Sequence, residues 1–350
     1  MKLRSKHPAL TYDDVLLVPA HSGCLPDEAN TSVTLGGISL SIPVLSAAMD
    51  TVTEAKMAIA MGSLGGMGVI HKNLSIEEQA SQVSKVKSLD LPVSAATGVG
   101  EAGIKRTHAL VEAGVDILCV DTAHGHSEGV LRTVSFIRKA FPYLSIMAGN
   151  VATREGAEAL AKAGANVVKV GIGPGSICTT RVMSGVGFPQ LSAVDEVFGF
   201  CYHNDLDVVA DGGIKVSGDI AKAIGVGATA VMLGSLLSGM EESPGEIFEQ
   251  DDKKWKVYRG MGSIDAMKAG SSDRYFQDGT KKLVAEGIKS RVPYRGSVGD
   301  TIYQLVGGLR ASMGYTGHGS LESMVGNCEF VRITSSGMAE SRPHSVEKID

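Results

Sequence analysis

Eight short, nearly continuous apolar runs punctuate the chain, at 42–45, 66–70, 92–96, 115–121, 144–150, 166–170, 207–211 and 228–233. Runs this short and this unbroken by polar residues are the pattern of strands buried on both faces. The segments between them carry helix signals instead. Ser75 and Glu78 stand at capping-box spacing and predict a helix opening there and running to about Lys87. Ala157, Leu160, Ala161 and Gly164 share one face at helical period, and Gly114 and Gly164 suit the left-handed position that ends a helix. Strand–helix alternation at a spacing of roughly 25 residues predicts parallel βαβ units, and eight such units predict an α/β fold closed into a (β/α)₈ TIM barrel. The competing architecture, an open doubly wound sheet, would bring a dinucleotide fingerprint after its first strand; Met49, Asp50 and Thr51 do not supply one.

The alternation breaks twice. A Gly-rich stretch at 171–189 follows the sixth run, and a polar stretch at about 241–296, with Trp255, Arg259, Arg274 and Arg295, follows the eighth. Connections this long are functional or disordered in most proteins. No low-complexity linker divides the chain, so residues 1–350 are expected to form one catalytic barrel domain with an excursion at 241–296.

Composition narrows the function class. The 44 glycines among 350 residues exceed the usual share, which points to many tight turns and close backbone approaches. A net charge of −5 without a basic run argues against nucleic-acid or membrane-surface binding. No apolar run reaches the ~20 residues that span a bilayer. The N-terminus carries Lys2, Arg4 and Lys6 but no apolar core of a signal peptide. Cys24, Cys119, Cys178, Cys201 and Cys328 are odd in number and show no CxxC or Cys/His ligand spacing, which predicts a reducing, cytoplasmic setting without disulfides or zinc.

Barrel active sites lie at the C-terminal strand ends, with phosphate held after strands seven and eight. Gly212-Gly213 and Gly234-Ser235 stand there, and backbone N–H groups at such turns can cradle a phosphate. The loop GIGPGSICTTR at 171–181 is neither a Rossmann fingerprint nor a P-loop, but its glycines let backbone approach a ligand and place Cys178 at the mouth. An exposed thiol there is a candidate nucleophile; the other four cysteines read as small buried hydrophobes. Asp121 and Asp211 end strands four and seven, where a carboxylate can accept bonds from ribose hydroxyls or merely cap the next helix. His124 and His126 read as loop polar groups, since no metal-ligand partners flank them.

Taken together, LTYDDV at 10–15, AAMDTVTE at 47–54 and the whole of 171–190 closely resemble the inosine-5′-monophosphate dehydrogenase and guanosine-5′-monophosphate reductase superfamily, over nearly the full chain. The resemblance implies a homotetrameric barrel in which Cys178 attacks C2 of a purine mononucleotide, with Thr180 as a catalytic threonine. It implies phosphate contacts at Ser176, Gly213, Gly234, Ser235 and Tyr258, a ribose ligand at Asp211, and further substrate contacts at Gly212, Gly260, Met261, Gly262 and Glu286. Asp121, Thr122, Ala123, Asn150, Gly171 and Gly173 would meet the dinucleotide. Carbonyls of Gly173, Gly175 and Cys178 would hold a potassium ion, joined by Glu340, Ser341 and Arg342 of a neighbouring subunit.

The two activities share the nucleophile, so other segments must separate them. DTAHGHS at 121–127 is similar to the dehydrogenase form of the nicotinamide-side loop; reductases typically carry Asn and Tyr where His124 and His126 stand. GSSDRYF at 270–276 is similar to the dehydrogenase mobile flap, with Arg274 and Tyr275 as its water-activating pair, and Glu286 in LVAEGI at 283–288 fits the same flap. Most dehydrogenases insert a pair of cystathionine-β-synthase-type modules after the second helix, whereas here Lys87 runs through SLDLP straight into the third strand. The resemblance therefore implies NAD-dependent oxidation of inosine 5′-monophosphate to xanthosine 5′-monophosphate, a step of guanine nucleotide biosynthesis. The second enzyme reading is NADPH-dependent deamination of guanosine 5′-monophosphate. A reading of another class, a catalytically silent nucleotide-binding barrel, sits poorly with intact Cys178, Thr180, Arg274 and Tyr275.

Overall fold

A computed structural model describes residues 3–4 and 7–346, so Met1, Lys2 and Lys6 lie outside the described residues. The eight apolar runs form eight parallel strands: β1 (Val44–Ser46), β2 (Met67–Ile70), β3 (Val93–Thr97), β4 (Ile117–Asp121), β5 (Ser145–Val151), β6 (Val167–Val170), β7 (Asp207–Asp211) and β8 (Ala230–Leu233). Each pairs with the next and β8 pairs with β1, closing the barrel. Around it lie α1 (Ala55–Ser63), α2 (Ile76–Lys87), α3 (Gly100–Glu112), α4 (Glu128–Ala140), α5 (Arg154–Ala163), α6 (Gln190–Cys201), α7 (Ser217–Gly225) and α8 (Val298–Thr316). The predicted capping box on α2 is present, with Ser75 accepting from the Glu78 N–H. Gly164 closes α5 at φ +110° and Gly114 follows α3 at φ +88°, conformations in which a Cβ would be strained.

Alternation within each strand divides the core in two. Leu118 and Val120 of β4 face the helices, while Ile117 and Cys119 face the barrel interior with Val167 of β6 and Val209 of β7. Burial on both sides is why these strands read as unbroken apolar runs. The lower end of the barrel is plugged by a hairpin, Val33–Leu35 with Ile38–Leu40, that the sequence did not announce. Its Leu35 and Leu40 join the interior cluster, and the Gly36 N–H donates to Asp207 at 2.7 Å.

The polar stretch at 241–296 is ordered rather than a plain loop. Strands β9 (Ile247–Gln250), β10 (Lys253–Arg259) and β11 (Lys289–Pro293) form an antiparallel sheet, and a run of short helical turns between β10 and β11 ends at Tyr275. Arg259 grips Asp50 through Nη2 at 2.6 Å, which ties this excursion to the loop after β1. Among the described residues no helix is long and apolar enough to cross a membrane.

Candidate active site

The C-terminal ends of the strands open into two adjoining cavities of about 820 and 930 Å³. They share Met49, Pro174, Gly175, Asp211, Gly212 and Tyr258 on their walls, so they form one cleft with two lobes. Cys178 lines the first lobe, half-buried, with Thr180, Gly260, Met261, Gly262, Arg274, Tyr275 and Glu286. Ser176, Gly213, Gly234 and Ser235 line the second. Asp121, Ala123, Asn150, Gly171 and Gly173 lie on the first lobe as well. Thr122 does not: it is buried, and its hydroxyl donates to the Gly149 carbonyl at 2.9 Å. Glu340, Ser341 and Arg342 are exposed at the end of the helix Ser335–Glu340, outside both lobes.

Backbone pairing sets the position of Cys178. The Thr179 N–H donates to the Glu286 carbonyl at 3.0 Å and the Ile288 N–H to the Ile177 carbonyl at 3.1 Å, so the cysteine loop is zipped to the returning arm of the excursion. A third segment joins them, with the Gly260 N–H donating to Ile288 at 3.0 Å and the Glu286 N–H to Gly262 at 2.9 Å. Gly262 has to be glycine here, because a Cβ would sit 2.8 Å from the Tyr275 ring. The Cys178 Sγ lies 3.2 Å from Thr180 Oγ1, an orienting contact one turn along the chain. Burial pushes the Cys119 thiol up to about 11 and the Cys201 thiol up to about 12, so both are poor nucleophiles. The reading of all four remaining cysteines as buried needs correction: Cys24 and Cys328 are half-exposed.

Charge in the cleft is organised around a residue the sequence reading passed over, Lys169. Its side chain is 2% exposed, and its ammonium pairs with Asp121 Oδ1 at 2.8 Å and Asp211 Oδ2 at 2.7 Å. It also donates to Asn150 Oδ1, and the Asn150 amide donates in turn to Asp211 Oδ2 at 2.9 Å. Register makes this possible: Gly149 pairs with Asp121 on one side and Lys169 on the other. A Cβ at Gly149 would lie 2.8 Å from the Lys169 Cβ, so the absent side chain leaves room for the two charges to meet. Neither aspartate caps a helix; α4 and α7 start at Ser127 and Val216. One signal for Lys169 was available, a lone charge in the middle of an otherwise apolar strand.

Removing one partner of a buried ion network leaves uncompensated charge. Lys169→Met, which strands two carboxylates, is expected to destabilise the fold by roughly 3–5 kcal/mol. Urea unfolding checks this; an unchanged midpoint would show that the ammonium does not balance Asp121 and Asp211.

The tip of the excursion reaches into this network. Arg274 Nη1 contacts Asp121 Oδ2, the Arg274 carbonyl accepts from the Ala123 N–H at 3.0 Å, and the Arg274 Nε has no partner. Burial raises the Tyr275 phenol above its ordinary pKa, so it is a neutral hydroxyl near neutral pH. In the second lobe the ionic groups are largely spent: Lys215 pairs with Asp13, and Arg181 donates to the carbonyls of Ile172 at 3.2 Å and Phe188 at 2.5 Å. An anion bound there would be met by backbone N–H groups and hydroxyls. Gly212-Gly213 stands at positive φ ahead of α7, which begins only at Ser217, so this cradle is a turn rather than a helix terminus. His124 and His126 are exposed beside the first lobe, and burial together with His126 lowers the His124 pKa. Among the described residues no group of three or more His, Cys, Asp or Glu side chains is gathered as a metal site.

Residues 9–344 match the family model described as IMP dehydrogenase / GMP reductase domain. The chain is 41% identical to the inosine-5′-monophosphate dehydrogenase of Halalkalibacterium halodurans, over 97% of this chain and 96% of that protein. It is 42% identical to the enzyme of the same name from Bacillus subtilis and 41% to that from Aquifex aeolicus, with the same coverage. The first of these alignments runs over 465 positions although the chain has 350 residues, so that relative contains sequence with no counterpart here. In the structure the connection from α2 to β3 is a short turn through Asp90 at φ +57°.

Proposed function

The chain belongs to the IMP dehydrogenase / GMP reductase family, and on that premise we propose that it oxidises inosine 5′-monophosphate to xanthosine 5′-monophosphate with NAD⁺ as hydride acceptor. The observation that carries this reading is the convergence of Cys178, Thr180, Arg274, Tyr275 and Glu286 on one lobe, beside a second lobe rich in backbone donors. A purine mononucleotide spanning the two would place its phosphate against Ser176, Gly213, Gly234, Ser235 and Tyr258. Its ribose would lie over Asp211, held in orientation by Lys169 and Asn150. Its base would meet Gly260, Met261, Gly262 and Glu286, with C2 over the Cys178 sulfur. Burial pushes the Tyr258 phenol up to about 12, so it stays a hydrogen-bond donor at neutral pH.

Attack of the Cys178 thiolate on C2 forms the covalent adduct, and splitting the reaction this way replaces one difficult step by two easier ones. The dinucleotide, bound along Asp121, Ala123, Asn150, Gly171 and Gly173, would take the hydride leaving C2. Arg274 and Tyr275 then activate the water that displaces the cysteine. Because Arg274 already occupies Asp121, the segment 241–296 acts as a flap that withdraws for the dinucleotide and returns for hydrolysis. A monovalent cation, potassium in this reading, fits the carbonyl-lined turn of Gly173, Gly175 and Cys178, where it would fix the loop that carries the nucleophile. Glu340, Ser341 and Arg342 could reach such a site only from a second copy of the chain, which is why a homotetramer belongs to the proposal.

Mixing the protein with inosine 5′-monophosphate and NAD⁺ is expected to produce NADH, seen at its absorbance band, with no ammonia released. Oxidation of NADPH dependent on guanosine 5′-monophosphate, with no dehydrogenase activity, would instead assign the reductase reaction. The Arg274–Tyr275 pair and the dehydrogenase names of the relatives favour the first outcome.

A further inference from the structure

Beside the Arg274–Asp121 contact lies a second, oppositely charged one. Asp273 places its carboxylate against the ammonium of Lys72, in the loop after β2, and the Lys72 Nζ also donates to the Gly270 carbonyl at 3.2 Å. Lys72 is buried, with 5% of its side chain exposed, and no other carboxylate pairs with it among the described residues. Burial pulls its pKa down while Asp273 opposes that fall. Arg106 of α3 stands close enough to feel Asp273 as well, though its own N–H groups go to Gln79 at 2.7 Å and Leu74 at 3.0 Å.

The floor of this notch is Gly98, the residue after β3. A Cβ there would sit 2.2 Å from Asp273 Oδ2. Gly98 is not in the left-handed region, so its backbone does not require glycine. What requires glycine is the volume an anionic oxygen occupies. The notch is therefore shaped and charged for an anion, and the flap supplies one from its own chain.

We infer that the Lys72–Gly98 notch is a phosphate subsite of the dinucleotide, which Asp273 fills while the flap is down. The inference rests on the proposed dinucleotide substrate. Asp273 and Arg274 are neighbours that deliver a negative charge to Lys72 and a positive charge to Asp121. An oxidised nicotinamide dinucleotide carries the same two charges, a phosphate and a cationic ring. Flap and dinucleotide thus exchange at two sites of opposite sign, and neither Lys72 nor Asp121 is left without a counter-charge in either state. Once the ring has accepted hydride it is neutral, so its hold on Asp121 weakens and Arg274 regains the advantage.

The test uses Cys178→Ala protein saturated with inosine 5′-monophosphate, with NAD⁺ titrated calorimetrically so that no turnover intervenes. Adding Asp273→Asn is expected to tighten NAD⁺ binding, because the flap loses its anion. Adding Lys72→Met to that double variant is expected to weaken NAD⁺ roughly tenfold, the usual scale of one charge-assisted contact to phosphate. Both partners of the buried pair are then neutral, so no orphan charge threatens the fold. If Lys72 serves only to latch the flap, it has nothing left to hold in the Asp273→Asn background. Unchanged affinity on adding Lys72→Met would therefore overturn the inference. Failure of the proposed function looks different: the Cys178→Ala parent itself would bind no NAD⁺.

Discussion

Cys178→Ala is expected to lower turnover by at least about 10⁴-fold, the scale on which enzymes lose rate when a covalent nucleophile is removed, while mononucleotide affinity changes little. The two effects separate because they come from different parts of the cleft. The phosphate lobe is built from the turns after β7 and β8 with Ser176 and Tyr258, and the carboxylate of Asp211 is held by Lys169 and Asn150. None of these depends on the sulfur. Calorimetry with inosine 5′-monophosphate and a steady-state assay on the same preparation check both halves. Retained turnover would remove Cys178 from the mechanism. Lost binding would show that the loop had collapsed instead, since its pairing to 286–288 is what holds it.

Arg274→Ala is expected to separate the two half-reactions. Adduct formation and hydride departure need the thiolate and a bound dinucleotide, and the dinucleotide can reach Asp121 only when Arg274 is away from it. Hydrolysis needs Arg274 back in the lobe beside Cys178, Tyr275 and Glu286. Rapid mixing should therefore give a burst of NADH near one equivalent per site, followed by a steady state slower by roughly 10²–10⁴-fold, the range that general acid–base groups contribute. Mass spectrometry should find the nucleotide on Cys178. Disappearance of the burst would place the arginine before hydride transfer. Unchanged steady turnover would leave the flap without a hydrolytic role and favour the reductase reading.

The apolar runs determined the barrel. A strand covered by helices outside and by other side chains inside has no polar face to show, so its sequence becomes a short apolar block, and eight such blocks with helical spacers leave few ways to close. Cys178 was legible for a similarly local reason: the glycines that let backbone approach a ligand flank it in one loop. The motifs at 47–54, 171–190 and 270–276 carried the family resemblance, because each is a contiguous segment.

What the sequence left undecided is what depends on register and on distant partners. Lys169, Asp121 and Asp211 sit on three different strands, and only the closed barrel, with Gly149 between two of them, brings their charges within hydrogen-bond reach. Leu35 reads as one apolar residue in a polar stretch until the hairpin seats it in the barrel floor. The segment 241–296 reads as loop because its strands are narrow and half-exposed; they hold through pairing with each other and through Arg259 on Asp50 and Asp273 on Lys72. Local patterns of burial are written in neighbouring residues, so the chain alone determined the elements. The strength of a buried charge depends on what stands opposite it across the barrel, and only the tertiary structure decided that.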